Sequence, residues 1–409
     1  MTSTPADTTT ATTPRPPEDE AERPLVSICV PCLNEELTIG EFVDWCHQGL
    51  AEAGVSGEVV IVDSSTDRSP EIAEAHGARV LRFPKRGLGR AYIDAIPHLR
   101  GEYVILGDCD LTYDFRVLSG FVEQLQAGSE FVMGSRFRGS IEAGAMPALH
   151  QHFGTPVTTW IFNRIYGTRF SDIHCGMRGL RVDALRRIDL TSQGWEYASE
   201  MILKATKLHL RTAEVPIHFL KDRDGRQSHH LRSGWLSPWK AGWDNLRIMF
   251  LYAPDRLLSQ PGVVLLALGL ALMLAVTLAG AFTIAGVGIG VQASLLGLAL
   301  ATVGLSAWQL GTVARVRSNL EPAFRRRVLE RWTYNRGALI ATLMVLVGFA
   351  LEIPLLVDWL GHGSGIGLHR ESVLGIGFAL LGAQTFGFTL LLQIVAGPAY
   401  TPPNEERTP

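Results

Sequence analysis

The chain has 409 residues, 47% hydrophobic and only 19% charged, with a formal net charge of −3. Charged residues make up about a quarter of an ordinary soluble domain, and the deficit here is concentrated: Leu257 to Ala314 holds no Asp, Glu, Lys or Arg, whereas the first 256 residues read as globular sequence. A wholly soluble protein and a wholly membrane-embedded one are both excluded, and so slight a net charge gives no global drive toward nucleic acid.

Residues 1–24 are Thr, Pro, Glu and Asp with almost nothing to bury, which predicts a disordered tail. They contain no apolar run of the signal-peptide kind, so the chain from Leu25 onward is expected to stay on the cytoplasmic side until the first span. From Leu25 the pattern alternates. The apolar runs Leu25–Val30, Val59–Val62, Arg79–Phe83 and Tyr103–Leu106 read as buried strands, and Thr38–Ala53, Ser69–His76 and Arg90–Leu99 between them as helices. Ser69-Pro70 reads as an N-cap followed by proline in the first turn. This pitch predicts an open, mostly parallel α/β sheet, with ligands beyond the carboxyl ends of its strands.

The five cysteines, Cys29, Cys32, Cys46, Cys109 and Cys175, are odd in number and irregularly spaced, which fits a reducing cytosol rather than a disulfide framework. Cys29-Val-Pro-Cys32 has redox spacing, but Leu33–Glu36 separates it from the next helix. His150, His152 and His174 lack the partners that would complete a tetrahedral zinc set.

Residues 232–256 carry Trp239, Trp243, Leu246 and Phe250 on one helical face beside Arg232, Lys240 and Arg247, the composition of interfacial helices. Four spans are expected within 257–396: two in the uncharged run, split near Gly286–Gly290, then Ala338–Leu356 and Val373–Val395. The loop 315–336 carries seven arginines against the single Arg370 of the next loop. The positive-inside rule puts it, and both chain ends, in the cytoplasm. Residues 397–409 read as a second tail.

Chemistry is expected at the strand ends. Asp108-Cys109-Asp110 follows the fourth run, and two carboxylates one residue apart can hold Mg²⁺ or Mn²⁺ and through it a diphosphate. The other runs end in Pro31-Cys32-Leu33-Asn34-Glu35, Asp63-Ser64-Ser65-Thr66-Asp67 and Lys85-Arg86-Gly87-Leu88-Gly89-Arg90. Singly these are turns and caps. Four on one sheet edge point to a site.

In order and spacing, Pro31-x-Leu33-Asn34-Glu35, Asp63-x-Ser65-Thr66-Asp67 and Asp108-x-Asp110 resemble family 2 glycosyltransferases of the GT-A fold. Gly134-Ser135-Arg136-Phe137, Ser171–Arg178 and Arg223-x-Gly225-x-x-Ser228-His229 are similar to the polyprenyl-phosphate branch, to which dolichol-phosphate mannose synthase belongs. The resemblance covers about residues 25–231. It implies a donor site for a GDP- or UDP-sugar lined by Pro31, Leu33, Glu35, Asp63, Asp108, Cys109, Asp110, Arg136, Arg223 and His229. Catalytic roles fall to Asp110, Arg136 and Arg223. Metal contacts fall to Asp108 and Asp110, with Thr112 where mannose synthases place a glutamine. Arg136 and His150 stand on the acceptor-phosphate side. The sequence departs from the pattern at Val62, where an aspartate is common, at His150 and Gly154, which replace an arginine and a serine, and at His229, where lysine is usual.

The expectation is therefore a GT-A domain followed by four transmembrane helices. It would be a multi-pass enzyme of the cell membrane that moves a sugar, with inversion, from a nucleotide donor to polyprenyl phosphate (dolichyl or undecaprenyl) on the cytoplasmic face. The alternatives are a membrane glycosyltransferase with a non-lipid acceptor, or a transporter or scaffold with a nucleotide-sensing domain. Few polar residues lie within the spans, which weighs against transport.

Overall fold

A computed structural model describes residues 23–223, 247, 252, 254–284, 286–362 and 370–397. The tail 1–22, His229 and most of the predicted interfacial segment lie outside the described residues.

The predicted strands and helices form. In chain order they are β1 Val26–Cys32, α1 Ile39–Glu52, β2 Gly57–Asp63, α2 Ser69–Ala75, β3 Arg79–Arg82, α3 Leu88–Ala95 and β4 Tyr103–Leu106. Then come α4 Ser119–Gln126, β5 Phe131–Ile141, α5 Thr155–Tyr166, β6 Arg178–Arg181, α6 Val182–Ile188, α7 Tyr197–Lys207 and β7 Thr212–Phe219. The sheet order is β3-β2-β1-β4-β6-β5-β7. β1 pairs in parallel with β2 and β4, β2 with β3, and β5 with β7, while β6 runs antiparallel to both neighbours. β-Branched runs explain the buried centre. Val59, Val60, Ile61 and Val62 are at most 1% exposed, and each such side chain contributes roughly 1.5–3 kcal/mol through removal from water.

One local expectation holds and another changes. The Cys29/Cys32 pair lies in β1, with Cys32 its last residue, as the strand-end reading expected, and both thiols are buried and free. Burial pushes the Cys29 thiol up to about 12, so it is inert. At α2 Ser69 is the first helical residue rather than the cap, and its backbone N–H donates to Asp67 Oδ1 at 3.0 Å. Ser69 Oγ instead accepts the Glu35 N–H at 2.8 Å, tying the β1–α1 loop to α2.

Four helices are long and apolar enough to cross a membrane: Asp255–Ala279, Val291–Ser318, Tyr334–Gly361 and Glu371–Ala396. They correspond to α8 (Gln260–Ala279), α9 (Val291–Ser318), α11 (Tyr334–His362) and α12 (Arg370–Ala396), with a short hairpin, β8 Phe282–Ile284 and β9 Val287–Ile289, between the first two. The arginine-rich stretch, read as a loop, contains a helix, α10 Pro322–Arg331. Pro322 opens it, and Leu329 is buried with Val313, Val316, Phe388 and Leu392 while Phe324 and Val328 pack alongside. The arginines remain on its open side, except that Arg325 donates to the Ala396 carbonyl at 3.1 Å.

One polar cluster joins the two parts. Lys207, at the end of α7, contacts Asp255 at 2.7 Å and Glu321 at 3.1 Å, and Glu321 also pairs with Arg315.

Candidate active site

The carboxyl ends of β1, β2 and β4 open into one cavity of about 330 Å³. Pro31, Leu33, Glu35, Asp108, Cys109 and Asp110 line it together, as the motifs predicted, with Ser64, Lys85, Arg86 and Trp195. Three carboxylates thus share a small space with two cations.

Half of the motif residues build the loops rather than the lining. Asn34 adopts φ 54° and accepts the Thr66 N–H on Oδ1 at 2.8 Å, while its own N–H donates to Ser65 Oγ at 2.8 Å. A short polar side chain tolerates this left-handed backbone. The first and second motifs are therefore clasped to each other across the ends of β1 and β2.

Asp63 ends β2 with only 3% exposure, between the lining residues Val62 and Ser64. Its Oδ2 accepts from the Ser65 N–H at 3.2 Å, and its Oδ1 is buried without a hydrogen-bond partner. A buried carboxylate oxygen left unmatched is costly unless a ligand supplies the donor.

Asp110 is fixed from behind. Its Oδ1 accepts both the Thr112 N–H at 3.0 Å and the Thr112 hydroxyl at 2.5 Å, so Thr112 orients Asp110. Asp108 stands close to Gly176, where an added Cβ would come within 2.9 Å of its Oδ2 and 3.0 Å of the Tyr113 hydroxyl. Tyr92, Tyr113 and Tyr197 surround this point. Burial pushes all three phenols up, and the Asp108 carboxylate adds to it, so they stay neutral. Tyr92 donates to the Gly107 carbonyl at 2.8 Å, and Tyr113 accepts the Gly176 N–H at 2.8 Å.

Hard oxygen donors beside an excess of negative charge suit Mg²⁺ or Mn²⁺. Among the described residues no three His, Cys, Asp or Glu side chains are grouped as a metal site. Asp108 and Asp110 would thus hold such an ion only with oxygens from a ligand, the usual arrangement for Mg²⁺ with phosphates.

The remaining expected residues lie apart from the cavity lining. Arg136 is buried and clamped by Asp172, with its guanidinium 5.3 Å from the Phe219 ring. His150 is exposed at the start of a π-helical turn, His150–Gly154, that leads into α5. Arg223 is exposed and pairs with Glu41.

Lys85 and Arg86 come from a loop marked by its position, although neither was singled out. Trp195 carried no sequence signal, because its approach depends on a separate loop. Gly87, at φ 121°, lets that loop close in: a Cβ there would stand 2.2 Å from the Gln193 carbonyl oxygen. The Arg90 N–H donates to the same carbonyl at 3.1 Å. Glu200 holds the loop from below, accepting from the Thr191 N–H and hydroxyl at 3.0 and 2.9 Å and from the Ser192 N–H at 2.7 Å. Lys204 neutralises it at 2.6 Å.

The chain is similar to known proteins along most of its length. Residues 27–189 match the glycosyl transferase family 2 model, and residues 310–396 match the family 2 C-terminal transmembrane region. The low-salt glycan biosynthesis hexosyltransferase Agl6 of Haloferax volcanii is 35% identical over 376 residues, covering 90% of this chain and 88% of that protein. A dolichyl-phosphate hexose transferase of the same organism is 32% identical over 195 residues, 47% of this chain and 81% of the relative. Mannosyl-3-phosphoglycerate synthase from Rubrobacter xylanophilus aligns with a TM-score of 0.43 at 22% identity, over 55% of this chain and 74% of that one. A cavity of clustered carboxylates at the strand ends, four helices long and apolar enough to cross a membrane and a relative matched along nearly the whole chain lead to one conclusion: the chain is a membrane glycosyltransferase of family 2, with the GT-A fold and that family's C-terminal transmembrane region.

Proposed function

We propose that this enzyme transfers a hexose from a GDP- or UDP-sugar to polyprenyl phosphate at the cytoplasmic face of the cell membrane. The observation that carries the reading is the grouping of Glu35, Asp108 and Asp110 with Lys85 and Arg86 in a cavity of a chain that also spans the membrane. The dolichyl-phosphate hexose transferase of Haloferax volcanii, matched through the catalytic domain, supports a lipid acceptor.

Asp63 is assigned to the nucleobase, since its orphaned Oδ1 is an acceptor awaiting an N–H. Pro31, Leu33 and Glu35 would line the nucleoside side. Lys85 and Arg86 would meet the phosphates. Asp108 and Asp110 would hold Mg²⁺ or Mn²⁺, which when bound neutralises charge on the leaving diphosphate. The acceptor is a phosphate monoester, ionised at neutral pH, so its oxygen attacks the sugar C1 without a strong general base. Direct displacement inverts that carbon. Arg136 and Arg223, as cations, and His150 and His229, as ring N–H donors, are assigned to the acceptor and leaving-group phosphates.

The test incubates membranes containing the full chain with a panel of radiolabelled nucleotide sugars and polyprenyl phosphate. Label in an acid-labile lipid fraction is expected. Label transferred only to a water-soluble product would overturn the lipid acceptor while leaving the donor site standing.

A further inference from the structure

The helical segment from Leu149 to Tyr166 turns large apolar side chains toward solvent. Leu149 is 71% exposed, Phe153 62%, Trp160 66% and Ile161 40%. Leu149, Phe153 and Trp160 are each more than half exposed, so they share the side turned away from the domain. The other face holds Thr155, Thr159 and Phe162, which are buried against the catalytic domain. Nothing among the described residues covers the exposed stripe.

Its surroundings show what does. Leu149 to Arg169 contains no Asp or Glu, while Arg164 and Arg169 are exposed near its end. α5 ends near the start of the first helix long and apolar enough to cross a membrane. Asp255, which begins the first span, lies close enough to Tyr166 for its carboxylate to act on the buried phenol. Tryptophan and phenylalanine on one face with arginines beside them is the composition of a helix lying in a lipid interface. A second copy of the chain fits poorly, because a two-fold contact would bring the arginines of one stripe toward those of the other without a carboxylate to separate them.

We propose that this face is seated in the bilayer. α5 lies in the headgroup plane of the leaflet bordering the catalytic domain, with Leu149, Phe153 and Trp160 at the acyl boundary and Arg164 and Arg169 at lipid phosphates. The assignment holds whatever the donor and acceptor prove to be. It adds to the four spans a contact that sets how the catalytic domain is tilted on the membrane.

The test places a nitroxide at Phe153→Cys or Trp160→Cys in the full chain, reconstituted in nanodiscs containing phosphatidylglycerol. All five native cysteines are buried, so labelling is directed to the new thiol. Glu74→Cys, on an exposed position of α2, is the water-facing control. The ratio of oxygen to nickel-chelate collisions is expected to be several-fold higher at 153 and 160 than at 74. Equal ratios at all three sites would overturn the proposal. So would exclusion of both collision agents at 153 and 160, which would mean protein covers the stripe.

Discussion

Arg136 and Asp172 meet in a two-point contact inside the domain: Nε donates to one carboxylate oxygen at 2.6 Å and Nη2 to the other at 2.9 Å. The arginine is 8% exposed and the aspartate not at all. Burial works against the guanidinium charge, but the Asp172 hydrogen bonds and charge outweigh it and hold the group more firmly protonated than usual. The pair joins β5 to the segment that carries Gly176 beside Asp108.

Breaking that pair should cost both stability and turnover. Asp172→Ala leaves a buried cation unmatched and is expected to destabilise the domain by about 3–5 kcal/mol, read as a lower Tm. Arg136→Lys keeps the charge and loses the fork, and kcat should fall roughly tenfold to a hundredfold while donor Kd by calorimetry moves less. Unchanged turnover would remove Arg136 from the reacting centre.

Asp110→Asn should abolish sugar transfer and leave Tm nearly unchanged, since the amide oxygen can still accept from Thr112. Chelation of the wild type should give the same loss, reversed by Mg²⁺ or Mn²⁺. Full activity of the variant with added metal would exclude the metal role.

Glu200 supplies a pH signature. Burial opposes its charge, yet the bonds from Lys204 and Ser192 win and hold its carboxyl below the ordinary value of 4.5. A depressed folded pKa stabilises above the unfolded value, and that contribution fades as pH falls below about 4.5. The Tm gap between wild type and Glu200→Gln should therefore be wide at pH 7 and narrow progressively as pH falls below about 4.5. The variant should also raise the donor KM several-fold, by loosening the loop that carries Trp195.

Residues 315–336 are expected to face the cytoplasm. A cysteine introduced as Arg327→Cys, beside five buried native thiols, should resist a membrane-impermeant maleimide in intact cells and react once the membrane is opened. Labelling from outside would reverse the topology and displace the proposed cytoplasmic site.

Much of the fold and the site was legible in the sequence. Strand ends were marked because four apolar runs each stopped at a polar cluster, and the uncharged stretch after Leu257 could only be membrane. Pro31, Leu33, Glu35, Asp108, Cys109 and Asp110 meet in one cavity because register in a parallel sheet aligns the ends of adjacent strands. Trp195 was hidden, since no local pattern shows that its loop rests on Gly87. α10 was hidden too: its apolar residues are few, and its helix is sustained by packing under α9 and α12 rather than by a strong stripe of its own. The outward face of α5 was missed for the opposite reason, because a stripe of that kind reads as core until the fold shows which side is occupied.

The contact of Lys207 with Asp255 and Glu321 has a mechanical consequence. Glu200, which steadies the Trp195 loop, sits seven residues away on the same helix, about 10 Å at 1.5 Å per residue. Along α7 the distance from membrane anchor to donor cavity is therefore two stiff turns with no joint between them. A swing of the catalytic domain about this strut would have to break the contacts of Lys207 with Asp255 and Glu321. Under the proposed function, a lipid acceptor would diffuse within the bilayer and rise to a mouth whose height this strut sets.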